Sequence, residues 1–120
     1  NKLKVCNAGH HSMLICREGQ EMLEAGKAGG IPLGIAENIS YEVEEIQLFP
    51  GDLVFLYSDG VVEPVNDQKE PFGMDRLRSI LIETNGTPEE ILKKIDRAIQ
   101  AFTSDAPQFD DMTFLVFKVL

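Results

Sequence analysis

Acidic side chains stand at the ends of two apolar runs in this sequence, an arrangement suited to holding a hard cation. The first run, Leu53-Val54-Phe55-Leu56-Tyr57-Ser58, stops at Asp59 and is followed by Gly60. The second, Thr113-Phe114-Leu115-Val116-Phe117, is entered through Asp110 and Asp111. A run this apolar belongs to a strand buried on both faces. A carboxylate at its end cannot stay buried and charged without a partner, and the glycine lets the backbone turn sharply or approach a ligand. Two acid-bearing strand ends, far apart in sequence, suggest one site for magnesium or manganese, which favour carboxylate oxygen. Each acid also has a plainer reading, since Asp-Gly is a common turn dipeptide and paired aspartates suit an Asx turn. Neighbouring residues entering a strand point to opposite sides, so at most one of Asp110 and Asp111 reaches the same cation as Asp59.

His10 and His11 follow Asn7-Ala8-Gly9. Either reads as a metal ligand or general acid, or as a histidine that only hydrogen-bonds its own loop. Ser58 beside Asp59 invites a nucleophile reading, but no Gly-x-Ser-x-Gly elbow surrounds it and that reading is rejected. Gly29-Gly30-Ile31-Pro32-Leu33-Gly34 lacks the lysine and helix start of a phosphate-binding loop. It reads as a structural loop or a flap near the site.

The elements that must position these residues follow from periodicity. Residues 2–6 and 12–17 read as strands joined by the tight segment 7–11, and Arg17-Glu18-Gly19-Gln20 turns the chain into a third strand near 21–25. The segment 26–34, with four glycines and Pro32, is a loop. Imperfect alternation over 41–48 marks a strand with one wet face, and Pro50-Gly51-Asp52 turns into the buried strand 53–58. The expected arrangement of these strands is an antiparallel meander. After Gly60 the chain turns polar over 63–71. Met74, Leu77, Ile80 and Leu81 then recur at helical spacing up to a stop at Asn85-Gly86. Thr87-Pro88-Glu89-Glu90 is a helix start with a capping box, and Ile91, Leu92, Ile95, Ala98, Ile99 and Phe102 form the stripe of a second helix. A polar loop over 103–111 returns the chain to a last strand, 112–119. Strands, two helices and a final strand describe an α+β fold with helices on one face of an antiparallel sheet.

Composition limits the function. The chain has 120 residues, 43% hydrophobic and 26% charged, which is globular and not disordered. Its net charge of -9 opposes nucleic acid and anionic membrane surfaces as partners. A phosphorylated substrate remains compatible if metal ions supply the local positive charge. No run approaches the ~20 apolar residues of a membrane span, and nothing at the N-terminus resembles a secretory signal. A cytoplasmic location is therefore the default. Cys6 and Cys16 sit in apolar runs and read as buried thiols in place of a disulfide. Asn1 leads at once into strand-like sequence, with none of the slack that normally opens a domain, so the chain reads as cut.

Five motifs then occur in order: Asn7-Ala8-Gly9-His10; Pro32-Leu33-Gly34-Ile35; the long run from Phe49-Pro50-Gly51-Asp52 through Ser58-Asp59-Gly60 to Val62-Glu63; Phe72-Gly73 with Arg76-Leu77; and Asp110-Asp111-Met112-Thr113. Their order and spacing resemble the C-terminal part of the catalytic domain of SpoIIE-type bacterial phosphatases, relatives of the metal-dependent protein phosphatase 2C family. The resemblance implies an α-β-β-α sandwich with two Mn²⁺ or Mg²⁺ ions between the ends of two antiparallel sheets. It further implies removal of phosphate from serine or threonine of a protein, such as an anti-sigma-factor antagonist. Asp59 matches the metal-ligating aspartate of the Ser/Thr-Asp-Gly motif, with Gly60 beside it. Asp110 matches the ligand of the closing motif and Asp111 is the lesser partner. His10 stands where eukaryotic relatives carry aspartate, and with Asn7 it is placed next to the metals and not on them. The family's earlier Asp-x-x-Gly-His-Gly motif, which carries the bridging aspartate, does not occur here, so residues 1–120 are expected to lack the N-terminal part of the domain.

In the intact enzyme the resemblance implies a water of lowered pKa attacking phosphorus in line, with no protein nucleophile. The 120-residue chain alone is expected to bind metal weakly and not to turn over. Its open sheet edges favour a homodimer or strand exchange. The alternative from another class is a non-catalytic phosphatase-like module that binds a signalling partner. A generic α+β domain whose acids are turn residues is a third.

Overall fold

The computed structural model describes residues 1–27, 29–83, 85–104, 106 and 111–120. Five strands come first: β1 (Lys2–Val5), β2 (Met13–Cys16), β3 (Leu23–Ala25), β4 (Glu44–Gln47) and β5 (Leu53–Tyr57). A single helical turn, α1 (Asp59–Val62), is followed by α2 (Gly73–Glu83), α3 (Pro88–Thr103) and the last strand, β6 (Phe114–Lys118). The strands form two antiparallel sheets, one of four strands in the order β3-β2-β5-β6 and one made of β1 and β4. This is an α+β fold in three layers: helices, the four-stranded sheet, and the two-stranded sheet.

The layers explain why β5 carries no charged residue. Leu53, Phe55 and Tyr57 face the helices, packing in one core with Leu14, Leu77, Leu81, Ile91, Ile95 and Ile99. Val54 and Leu56 face the other way, into a second core with Met13, Ile15, Ala25 and Leu48. Leu3, Val5 and Ile46 of the two-stranded sheet close that second core, while Lys2 and Lys4 point outward toward Glu45. The α2 and α3 stripes are buried as their spacing predicts, and the capping box is made: Glu90 N–H donates to Thr87 Oγ1 at 3.3 Å and Thr87 N–H to Glu90 Oε2 at 2.9 Å.

Three expectations need correction. The strands are not a simple meander, because β1 pairs with β4 (Lys2↔Gln47 to Val5↔Glu44) and not with β2. The segment after β1 folds around the Asn7 side chain, which bonds the loop's own backbone at His10 and the Gly26 carbonyl beyond β3, and so carries the chain from one sheet to the other. Residues 59–62 form a helical turn where the sequence suggested only a tight turn at Gly60. The thiols are not both buried: Cys6 is exposed and Cys16 half-buried, both are free, and burial pushes the Cys16 thiol up to about 11.

One buried ion pair locks the end of β5 remote from Asp59. Asp52 is 1% exposed and accepts from Arg17 Nε at 2.8 Å and Nη2 at 2.7 Å, and from Phe49 N–H at 2.8 Å. The guanidinium also lies 4.5 Å from the Phe49 ring centroid. These bonds tie the turn before β5 to the end of β2, and Val119 N–H donates to Asp52 O at 2.8 Å to bring in the tail of β6.

Removing Asp52 strips Arg17, whose side chain is 20% exposed, of its charged hydrogen bonds and frees the Phe49 N–H. Asp52→Ala is expected to cost about 1.5–3 kcal/mol of unfolding free energy in urea titration. The Arg17 hydrogen bonds hold the Asp52 carboxyl below the usual carboxylate range. The unfolded chain therefore protonates first on acidification. The stabilisation is complete above the unfolded value of about 4 and is lost as pH falls through the folded one. Asp52→Asn is expected to show a shallower acid limb in a pH series of the same measurement.

Candidate functional site

Because β5 is buried on both faces, its chain direction delivers Asp59 to the sheet's edge, where water can reach the carboxylate. The Asp59 side chain is 54% exposed. The antiparallel pairing of β5 with β6 brings a second segment to the same place. Ser58 N–H donates to Thr113 O at 2.9 Å, Thr113 N–H donates to Ser58 Oγ at 3.0 Å, and the Ser58 hydroxyl donates to Asp111 O at 3.3 Å. The hydroxyl holds the two strand ends together.

Gly60 is what allows the approach. A Cβ built on it would lie 2.2 Å from Asp111 O and 2.8 Å from Asp111 C. No side chain fits there, so the glycine after Asp59 is required for close contact and not for an unusual dihedral angle. Asp111 is thus brought to the Ser58-Asp59-Gly60 end through its main chain. Asp110, the stronger of the two sequence candidates, lies outside the described residues.

The third contributor is the loop before β2. Asn7 Nδ2 donates to His10 O at 2.8 Å and Gly26 O at 2.7 Å, and His10 N–H donates to Asn7 Oδ1 at 2.7 Å. Gly9, at φ +85, packs against Pro32, where a Cβ would meet the ring at 2.9 Å, and Gly30 N–H donates to Asn7 O at 2.9 Å. The glycine-rich loop is therefore pinned beside the site. Of the two histidines, His11 is the one whose Nε2 contacts Asp59 Oδ1. The His10 ring lies next to it, with Nδ1 at 3.1 Å from His11 O. The sequence offers both histidines as candidates, and the motif resemblance places only His10 and Asn7 beside the metals. The signal that finds His11 is register: extending the Leu14↔Phe55 pairing places residue 11 opposite residue 58.

Gly9, His10, His11, Ser58 and Asp59 line a cleft of about 370 Å³. No lysine or arginine is among them. Among the described residues no three His, Cys, Asp or Glu side chains converge on one point. The donors present nevertheless fit a hard divalent cation in kind, since Asp59 offers an exposed carboxylate at the mouth of the cleft. A larger groove, about 980 Å³, lies at the other end of β5 among Cys16, Met22, Leu53, Leu81 and Asn85. It does not include Asp59, Asp111 or either histidine. No helix among the described residues is long and apolar enough to cross a membrane.

Comparisons with known proteins agree with this architecture. The stage II sporulation protein E (SpoIIE) family profile matches residues 1–120. Protein IcfG of Synechocystis is 28% identical over 113 residues, 94% of this chain but 18% of that protein. The structure of the PP2C phosphatase domain and a fragment of the regulatory domain of the cell fate determinant SpoIIE from Bacillus subtilis superposes with a TM-score of 0.74 at 25% identity, covering 98% of this chain and 34% of that one. The SiaA-PP2C domain of Pseudomonas aeruginosa shares the fold at the same TM-score of 0.74 and 24% identity, over 92% of this chain and 44% of that chain. The chain thus spans less than half the length of each of these relatives.

The Gly60 contact has a direct consequence. Gly60→Ala is expected to cost about 1–3 kcal/mol by overpacking. It should also speed hydrogen exchange at the Thr113 amide, whose bond to Ser58 depends on the two segments staying together.

Proposed function

The chain belongs to the SpoIIE family, and from that membership we propose that the protein containing it removes phosphate from serine or threonine of a regulatory protein, using Mn²⁺ or Mg²⁺. Substrates of the anti-sigma-factor-antagonist class fit this reading. Residues 1–120 contribute the C-terminal part of the catalytic domain, and the bridging aspartate of the two-metal centre comes from the rest of it.

The observation that carries the reading is the junction of Ser58-Asp59-Gly60 with Asp111–Thr113, sealed by the Ser58–Thr113 bonds and the side-chain-free contact at Gly60. Asp59 and Asp110 would hold the cations, with Gly60 and Asp111 as further contributors beside Asp59. When bound, two divalent cations supply an acidified water and neutralise charge on the phosphoryl oxygens. The protein's own residues do the rest. Asp59 offers oxygen donors, Asn7 fixes the loop that forms one side of the cleft, and Ser58 keeps both strand ends in register. Among the described residues lining the cleft there is no lysine or arginine, and the chain's net charge is -9, so a phosphate there needs positive charge from elsewhere. Metal charge fills that need.

β1 and β4 form a sheet of two strands, each with an open edge. We further propose that the 120-residue chain on its own self-associates through such edges.

Asp59→Asn in the full-length protein is expected to reduce Mn²⁺-dependent release of phosphate from a phosphoserine peptide to below roughly a hundredth of wild type, because even outer partners of metal ligands are typically worth 10–100-fold. Full activity in the variant would remove Asp59 from the site. A wild-type protein that binds the phosphopeptide but releases no phosphate with either metal would establish a non-catalytic binding module instead.

A further inference from the structure

We infer that His11 is the positioning residue for Asp59, holding the carboxylate so that its second oxygen is presented to a cation; this rests on the metal-centre reading above. The resemblance of the Asn7-Ala8-Gly9-His10 motif stops one residue short of His11, and the geometry supplies the role. His11 Nε2 meets Asp59 Oδ1 across 48 residues of sequence. Its ring stacks on Tyr57, with centroids 5.1 Å apart and planes 16° from parallel.

That stack is anchored from below. Tyr57 is 4% exposed and its hydroxyl donates to the Met74 sulfur at 3.1 Å, so the ring under His11 is held by α2. The His11 backbone is anchored as well. Asn7 bonds both the N–H and the carbonyl of His10, and the His11 carbonyl lies 3.1 Å from His10 Nδ1. A side chain 41% exposed would ordinarily sample several rotamers. Here the face, the tip and the backbone are all fixed, and the tip is fixed on the carboxylate that the end of β5 delivers to the cleft.

The chemistry separates two roles for such a histidine. A metal-ligating nitrogen presents its lone pair to the cation. Nε2 instead points at a carboxylate oxygen, which is where a ring N–H donates. An ionised carboxylate has about four acceptor positions over its two oxygens. His11 occupies one on Oδ1, and among the described residues no hydrogen bond is made to Oδ2. Hydrogen-bonded partners of this kind orient metal-binding groups, and losing them typically costs 10–100-fold in metal affinity.

The test uses the full-length protein and Mn²⁺ alone, with free Mn²⁺ counted by electron paramagnetic resonance. His11→Ala should weaken binding by roughly 10–100-fold, while His11→Gln, whose amide N–H can replace the ring donor, should restore most of it. Pulsed spectra of the wild-type Mn²⁺ complex should contain no directly coordinated nitrogen. A coordinated-nitrogen signal that vanishes in His11→Ala would make His11 a ligand and overturn the proposal. Equal Mn²⁺ affinity in wild type and His11→Ala would overturn it too. Failure of the metal-centre reading looks different: Asp59→Asn would then leave Mn²⁺ affinity unchanged. Long-range proton–nitrogen spectra of the metal-free protein would still show His11 protonated at Nε2 against Asp59.

Discussion

Everything charged about β5 has to happen at its two ends, because Leu53, Val54 and Phe55 are at most 7% exposed and meet apolar side chains on both faces. A central strand with no wet side leaves no room for an unpartnered charged group along its length. The consequence differs at each end. At the start, Asp52 is drawn inside and neutralised by a two-point contact with Arg17. At the finish, Asp59 is pushed out to solvent, where its carboxylate remains usable. One end of the strand is a clamp and the other is a donor. The neighbours follow suit: β2 supplies Arg17 at the clamp and leads in from the His11 loop at the donor end, while β6 supplies Val119 and Thr113 at the corresponding places.

Much of this was legible in the residues, and the illegible parts share a cause. The buried strand, both long helices and the Thr87–Glu90 capping box are encoded locally, by composition or by spacing within a few residues. The division into two sheets is not local. Lys2-Leu3-Lys4-Val5 pairs equally well in principle with any strand offering a matching apolar face, and the choice of β4 is set by where the Asn7 loop sends the chain. Asp52 was hidden for a similar reason. Pro50-Gly51-Asp52 reads as a surface turn, and nothing nearby announces that Arg17, 35 residues earlier, will bury the aspartate. Long-range partners of charged residues leave no periodic trace.

The site illustrates the same divide. Asp59 could be picked out because a carboxylate closing an apolar run is anomalous on its own. The contact between Gly60 and Asp111 could not, since a glycine after aspartate serves many turns equally well, and only the superposed strand ends reveal that a methyl group would strike a carbonyl. His10 and His11 were indistinguishable until the β2–β5 register and the ring of Tyr57 gave one of them a surface to lie on.

The seam between Ser58 and Thr113 also bears on the order of folding. The stretch of chain it closes includes α2 and α3 in full. Joining the ends of a loop that long carries an entropic penalty that grows with loop length, and contacts so distant in sequence form late. Docking of the helices on the sheet shortens that loop and so favours the later pairing of β6 with β5 and the approach of Asp111 to Gly60. A partly folded chain would display the Asp59 carboxylate without its neighbours. The junction thus comes into being only once β6 has paired with β5, so that any ligand needing both segments recognises that paired state and passes over the partly folded chain.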